Sequence, residues 1–528
     1  MEAKVYLNSA RDFTRRRLDR LRLSRLRALL LWCPLLSLLF FWEMLYLPRL
    51  RDSPGWYGDE TGTLLMGREL FHGCSAVGAL WLTFWHSYYP YQPGFCWLVG
   101  FSSSLTGGDI LGGRFLNAAI ALIIAILICF SGRQRLGVLS AWFGSLIFLS
   151  YSQTVIHFRW VYPHNAVALG IVVTVLWLLR PSRPANDWKV GLGLGIAALA
   201  HPLFCHAAVS AFLCRITKPR AWILLALPPA LVIVAAFAYV SWRYWPDLWL
   251  VRDLTELWEY YMRSNNRNPG GVSFAENVAR FYSQDFFHVG ACLGLLLCCR
   301  KRYYPIAVCA LAVSSLLLRN RQNLIVFYYQ AIILVPMFAL AWAGGSSIVA
   351  RRLRRWRSGL RWDRAWLASS FLLPIGMAAV QLPAVLQGKL TPRNQPWVTQ
   401  SIPEVESAAA WLNDHTSPSD LVIANVNLAW QLRARTADFL QATLWQGFST
   451  EYFAKGIPRE RFRYPADVQS AKYAVVGDID RVWMLGQLNV SKIVDKIGEQ
   501  RWPVVWSGKY YLILENPNYR KYEKSDGN

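Results

Sequence analysis

The sequence predicts a polytopic α-helical membrane protein of about eleven transmembrane helices with a small C-terminal α/β domain. Three observations carry this. Of 528 residues, 54% are hydrophobic and the mean hydropathy is +0.23, which excludes an ordinary soluble domain. Apolar runs recur along the first 386 residues, most of them near the ~20 residues that cross a bilayer core. Basic clusters sit beside those runs.

The runs are 28–47, 112–130, 136–154, 161–179, 190–214, 221–242, 286–299, 304–318, 323–345 and 365–386. His201-Pro202 interrupts 190–214. Proline disfavours an unbroken helix and histidine prefers a polar apex, so this run is read as two short helices, 190–201 and 203–216.

A net charge of +24 would suit a nucleic-acid binder, but its distribution argues against one. Eight arginines lie between Arg11 and Arg27, and seven between Arg351 and Arg364. Smaller clusters are Arg133/Arg135, Arg180/Arg183, Lys218/Arg220 and Arg300-Lys301-Arg302. Short basic loops beside apolar spans follow the positive-inside rule. The charge is topological, and no nucleic-acid partner is expected.

Placing every cluster in the cytoplasm orders the chain. Residues 1–27 form a basic cytoplasmic N-terminus, and 28–387 form the membrane domain, with external loops 48–111 and 243–285. Within the first loop, 75–107 lies outside or along the interface, where Trp81, Trp85, Tyr88, Tyr89, Tyr91 and Trp97 suit an aromatic belt. The alternative is that 88–106 crosses. No cleavable signal precedes 28–47, which follows a long arginine-rich segment. The protein is expected to be integral to the plasma (inner) membrane, with its site on the external or periplasmic side.

From 388 to 528 the spans vanish and the charges balance. Apolar runs at 421–424, 473–476 and 510–514 read as strands, with helices near 403–415, 436–445 and 481–499. Ser507-Gly508 fits a terminal hairpin. This is read as an external α/β domain. The ten cysteines lie mostly in or beside spans; Cys74 and Cys96 share the first loop and could pair or remain free.

The chemistry concentrates in Pro54-Gly55-Trp56-Tyr57-Gly58-Asp59-Glu60-Thr61. Two adjacent carboxylates are unfavourable at a membrane surface, where lost hydration and like charge oppose ionisation. Pro54, Gly55 and Gly58 mark a shaped turn. Such a pair could act as a general base; equally, Asp59 could cap a helix over 60–72. Other polar residues fall at the same outer face: Gln92, Arg114, His157, Arg159, His164, Asn165, His201, Arg319, Arg321, Tyr328 and Tyr329. Singly each suits interface snorkelling or a helix cap; together they suggest a cavity. Arg114, Arg159, Arg319 and Arg321 are candidates for holding a lipid phosphate. No Cys/His zinc spacing, Walker loop or dinucleotide turn occurs. A divalent cation at Asp59/Glu60 is conceivable but not favoured, because a second carboxylate group is wanting at His164-Asn165.

This pattern resembles the GT-C superfamily of membrane glycosyltransferases, and most nearly the protein O-mannosyltransferases and lipid A aminoarabinose transferases. The likeness rests on Asp59-Glu60 after the first span, Tyr89-Pro90-Tyr91-Gln92-Pro93-Gly94, and Gly112-Gly113-Arg114-Phe115-Leu116. It extends to Arg321 through Tyr328-Tyr329 to Pro336, and to a C-terminal block from Ala408-Ala409-Ala410-Trp411-Leu412 to Leu514-Glu515-Asn516-Pro517. Two departures stand out. Tyr162-Pro163-His164-Asn165 lacks the acidic residue frequent there in the family, and Gln92-Pro93 stands where aminoarabinose transferases carry a lysine.

The resemblance implies transfer of a sugar from a polyprenyl-phosphate donor to a hydroxyl of a lipid, glycan or protein acceptor, with inversion. Asp59 would be the base, with Glu60 orienting the acceptor or tuning Asp59. Rival readings are a flippase for a lipid-linked saccharide and an inactive subunit of a polysaccharide assembly system.

Overall fold

The computed structural model describes residues 32–72, 93–244, 273–300, 302–319, 329–356, 362–391, 399–450, 456–482 and 484–519. The chain begins with α1 (Trp32–Tyr46), followed by α2 (Gly58–His72) and α3 (Pro93–Ser104). Next come α4 (Ile110–Leu136), α5 (Val138–Ser150), α6 (Ser152–His157), α7 (Pro163–Leu178) and α8 (Pro184–Ala200). The series continues with α9 (Phe204–Cys214), α10 (Pro219–Tyr244), α11 (Phe274–Tyr282), α12 (Phe286–Cys298) and α13 (Tyr304–Arg319). A 3₁₀ turn at Tyr329–Leu334 leads into α14 (Val335–Trp356), then α15 (Trp362–Ser370) and α16 (Leu372–Gln387).

Among the described residues, four helices are long and apolar enough to cross a membrane: Ile110–Leu136, Pro219–Ala236, Gln330–Trp356 and Trp362–Gln387. Six shorter apolar helices accompany them. Burial ranks their places. The span containing α14 is 89% buried and forms the packed centre, whereas the one containing α16 is 11% buried and turns its apolar side chains outward.

Several expected boundaries move, for local reasons. The run 136–154 is not one helix, since Gly137 at φ +93° separates α4 from α5, a conformation glycine alone adopts without strain. Tyr151 then turns extended, and α6 starts afresh at Ser152. Helix α8 begins at Pro184 rather than 190, with proline in the first turn, where its missing N–H is harmless. The expected break at His201-Pro202 is present: α8 ends at Ala200 and α9 starts at Phe204. In the first loop α3 has twelve residues. Residues 73–92, which include the start of the stretch 88–106, lie outside the described residues.

Beyond 399 the chain builds a five-stranded mixed sheet of order β4-β3-β5-β7-β6. Its strands are β3 (Leu421–Ile423), β4 (Arg435–Ala437), β5 (Tyr473–Gly477), β6 (Val504–Ser507) and β7 (Tyr511–Glu515). The pairs β3–β4 and β3–β5 are parallel, while β5–β7 and β6–β7 are antiparallel. The Gly508 N–H closes the last hairpin on the Tyr511 carbonyl at 2.9 Å. The single helix expected over 481–499 is instead Asp478–Val482 and Ser491–Glu499, with a 3₁₀ turn at Met484–Gly486 between them.

A second, two-stranded sheet joins the halves of the chain. β1 (Trp56–Tyr57) pairs antiparallel with β2 (Thr399–Gln400), Trp56 opposite Gln400 and Tyr57 opposite Thr399. Trp56 is fully buried and meets Trp430 edge-on at 5.1 Å, a geometry that favours aromatic pairs. Arg51 adds ion pairs to Asp109 at 3.0 Å and Glu406 at 2.5 Å.

Inside the C-terminal sheet region two buried acids depart from ordinary behaviour. Burial raises Asp438 to about 7 and Asp480 to about 6. Both bind protons more tightly folded than unfolded. Their contribution is therefore fully present below about pH 4 and is lost as pH rises through 6 to 7. Thermal unfolding should occur at lower temperature at pH 8 than at pH 5, and Asp480→Asn should flatten that dependence. A wild-type melting temperature rising from pH 5 to pH 8 would contradict this account.

Candidate active site: a clamped acidic turn

Helix α2 starts at Gly58, so Asp59 and Glu60 both lie in its first turn. The Asp59 side chain lies outside the described residues. Glu60 is completely buried, and Arg114 engages it in bidentate fashion, Nε to Oε1 at 2.8 Å and Nη2 to Oε2 at 2.7 Å. The Val161 N–H donates to Oε1 at 3.0 Å. Both oxygens of this carboxylate are thus engaged by protein donors. Among the described residues, no three His, Cys, Asp or Glu side chains cluster as a metal site.

Arg114 is itself fully buried. Its Nη1 donates to the carbonyls of Leu50 and Arg51 at 3.0 Å and Pro54 at 2.9 Å, and Nη2 reaches Gly55 at 3.4 Å. Gly112 and Gly113 make this approach feasible. A Cβ on Gly112 would lie 2.2 Å from the Ser102 carbonyl oxygen of α3, and one on Gly113 would lie 2.9 Å from Val161 Cγ2. The sequence Gly112-Gly113-Arg114 is thus a packing element and a staple.

Arg159, also fully buried, repeats the device from the α6–α7 connection. It donates to the carbonyls of Ser53 at 2.7 Å, Leu45 at 3.0 Å and Pro48 at 2.6 Å. The Trp160 indole donates to Gly55 O at 2.9 Å. Two of the four arginines expected to hold a lipid phosphate are therefore occupied in shaping the turn before Asp59. The reason is physical: a turn whose carbonyls are shut away from water needs donors, and a guanidinium supplies five.

Beside this clamp stands a wall of rings. His164 and His201 lie 4.7 Å apart, Tyr162 meets His164 at 6.2 Å, and His157 packs on Trp160 at 5.4 Å. The His201 Nδ1 accepts from the Leu203 N–H across the α8–α9 break. Asn165 holds the α6–α7 connection, its Nδ2 donating to Asn117 Oδ1 at 2.8 Å and the His157 carbonyl at 3.0 Å. These bonds engage its Nδ2, while its Oδ1 is buried without a partner among the described residues. Arg319 ends α13 and Tyr329 begins the 3₁₀ turn before α14. Gln92, Arg321, Tyr328 and the side chains of Arg319 and Tyr329 lie outside the described residues, as does Cys74.

Sequence reading missed the partners of α2 in the C-terminal region: Thr61 donates to Asn427 Oδ1 at 2.8 Å, and Arg68 to the Trp430 carbonyl at 2.8 Å. It also missed a polar trio at the start of α12, where the buried Tyr151 hydroxyl and His288 ring both bond the half-buried Asp285, each at 2.9 Å.

No protein-family model matches the chain, and no curated protein matches it. Solved structures do. ArnT from Cupriavidus metallidurans, bound to undecaprenyl phosphate, is 16% identical, with 92% of this chain and 97% of that one covered at a TM-score of 0.61. Its apo form gives 0.58 at 15% identity over the same shares. The archaeal oligosaccharyltransferase AglB from Archaeoglobus fulgidus, in complex with an inhibitory peptide and a dolichol-phosphate, is 12% identical. It covers 85% of this chain and 70% of its own at a TM-score of 0.51. At these identities the likeness is one of fold. With 92% and 85% of the chain covered, it shares its overall fold with these solved structures.

Proposed function

We propose that this protein is an inverting glycosyltransferase that moves a sugar from a polyprenyl-phosphate donor to an acceptor hydroxyl on the outer face of the plasma (inner) membrane. The observation that carries the reading is the clamp on the acidic turn, set in this fold. Glu60 is bound to Arg114 and the Val161 N–H, so the role of base falls to Asp59. The positive end of the α2 dipole favours an ionised carboxylate in the first turn, the form a base requires. Asp59 takes the acceptor proton while the acceptor oxygen attacks the anomeric carbon opposite the departing lipid phosphate. Inversion follows from that in-line geometry.

The ArnT and AglB structures hold undecaprenyl phosphate and a dolichol-phosphate, which supports a lipid-phosphate donor here. With Arg114 and Arg159 engaged elsewhere, the cations for the leaving phosphate are Arg319 and Arg321, joined by Gln92, Tyr328 and Tyr329. The His164 and His201 rings offer a face to the sugar. The direct test is to incubate purified protein with undecaprenyl-phosphate-linked glucose, mannose, arabinofuranose and aminoarabinose and to measure sugar release or transfer. Lipid translocation without any glycosidic cleavage would end the reading.

The proposed orientation places the N-terminus and the Arg351–Arg364 cluster in the cytoplasm and residues 388–528 outside, after about eleven crossings. Single cysteines at Ser358 and at exposed Asp414 should label with an impermeant thiol reagent from opposite sides of sealed vesicles. Labelling of both from one side would overturn the external C-terminal domain.

A further inference from the structure

A buried polar chain leaves the first turn of α2 and runs into the C-terminal region. The Thr61 hydroxyl donates to Asn427 Oδ1 at 2.8 Å, and Asn427 Nδ2 donates to Gln400 Oε1 at 2.9 Å. The Tyr511 hydroxyl of β7 donates to the same Gln400 oxygen. The Asn427 N–H donates to Asn425 Oδ1 at 3.1 Å, and Asn425 Nδ2 to Asp480 Oδ2 at 2.8 Å. Asp480 Oδ2 also accepts the Gly477 N–H of β5 at 2.8 Å. Thr61, Asn427, Gln400, Asn425, Asp480 and Tyr511 are each no more than 1% exposed.

Residues on either side of Asp59 are thus held by different parts of the chain. Glu60 is fixed by α4 and the α6–α7 connection, Thr61 by Asn427, and the preceding residues Trp56 and Tyr57 by pairing with Gln400 and Thr399. The membrane helices supply one jaw and the C-terminal region supplies the other. Gln400 Nε2 and Asp480 Oδ1 are buried without a partner among the described residues, yet the direct bonds from Thr61 through Asn427 to Gln400 hold the segments they join, and a reacting group displaced by about 1 Å can lose 10²-fold in rate.

We propose that Asn427, held by Gln400 and Tyr511, positions the Asp59 turn through Thr61, so that the C-terminal domain is a working part of the active site. This rests on the reading of Asp59 as the base. Asn427 and Thr61 are positioning residues and need touch no substrate.

Three variants of the full-length protein in detergent test it. Thr61→Val and Asn427→Leu should lower kcat about 10- to 100-fold, with donor KM and undecaprenyl phosphate affinity within about threefold of wild type. Thr61→Ser, which keeps the hydroxyl, should restore kcat to within about threefold. A purely scaffolding role would lower thermal stability without that split and without rescue by serine. Should either variant fail to fold, Tyr511→Phe, three hydrogen bonds from Thr61, should still reduce kcat about threefold. Hydrogen exchange gives a readout free of turnover: Asn427→Leu should speed exchange of amides 58–62 about tenfold and leave α14 unchanged. If Asp59→Asn is inactive while the variants keep wild-type kcat and exchange, the positioning role is overturned alone. If Asp59→Asn is fully active, the reading of Asp59 falls, and the inference falls with it.

Discussion

Asp59→Asn should reduce sugar transfer by about 10²- to 10⁴-fold in protein that remains folded, the range general-base catalysis ordinarily supplies. The substitution keeps size and polarity but removes proton affinity, so the loss should fall on kcat, with undecaprenyl phosphate affinity unchanged. Asp59 lies beside the buried Glu60–Arg114 pair in the first turn of α2. An amide in its place leaves that pair and the Thr61 bond intact. Glu60→Gln is a different kind of lesion. It leaves Arg114 half-paired in a buried site, so its damage should show first as lost stability. Near-normal turnover by well-folded Asp59→Asn would remove the base from this turn.

Much of this was legible in the sequence, and what was not has a common cause. The Asp59-Glu60 pair stands out because adjacent acids beside an apolar span demand explanation. The break at His201-Pro202 is announced by proline. The apolar runs behind β3, β5 and β7 are short and β-branched or aromatic, and they fall where the strands form. Arg435-Thr436-Ala437 gives no such signal, yet it pairs with β3 as a three-residue strand. The roles of Arg114 and Arg159 were misread for a physical reason. Apart from the Glu60 carboxylate gripped by Arg114, their acceptors are main-chain carbonyls between Leu45 and Gly55, and a carbonyl is present at every residue. A buried arginine caged by backbone and one awaiting a phosphate look alike until the chain is folded. Asn427 and Gln400 were invisible likewise, lying more than 300 residues from their α2 and β1 partners.

Arg114→Ala should be among the most destabilising single substitutions in the protein. Removing one member of a buried ion pair leaves the other charge uncompensated, at about 3–5 kcal/mol. Here the loss also strips N–H donors from the carbonyls of Leu50, Arg51 and Pro54. Arg114→Lys should rescue little, because one ammonium cannot reproduce a bidentate grip and carbonyl contacts together. Pairing Arg114→Met with Glu60→Gln should recover part of the stability lost by Arg114→Met alone, since no unpaired charge then remains buried. Arg355→Ala, in an exposed basic cluster, should change stability by less than about 0.5 kcal/mol. Thermal unfolding in detergent, followed beside undecaprenyl phosphate binding, separates a staple from a ligand. A staple loses stability and binding together. An Arg114→Ala protein that melts like wild type but no longer binds the lipid phosphate would return this residue to the donor site and empty the clamp of its purpose.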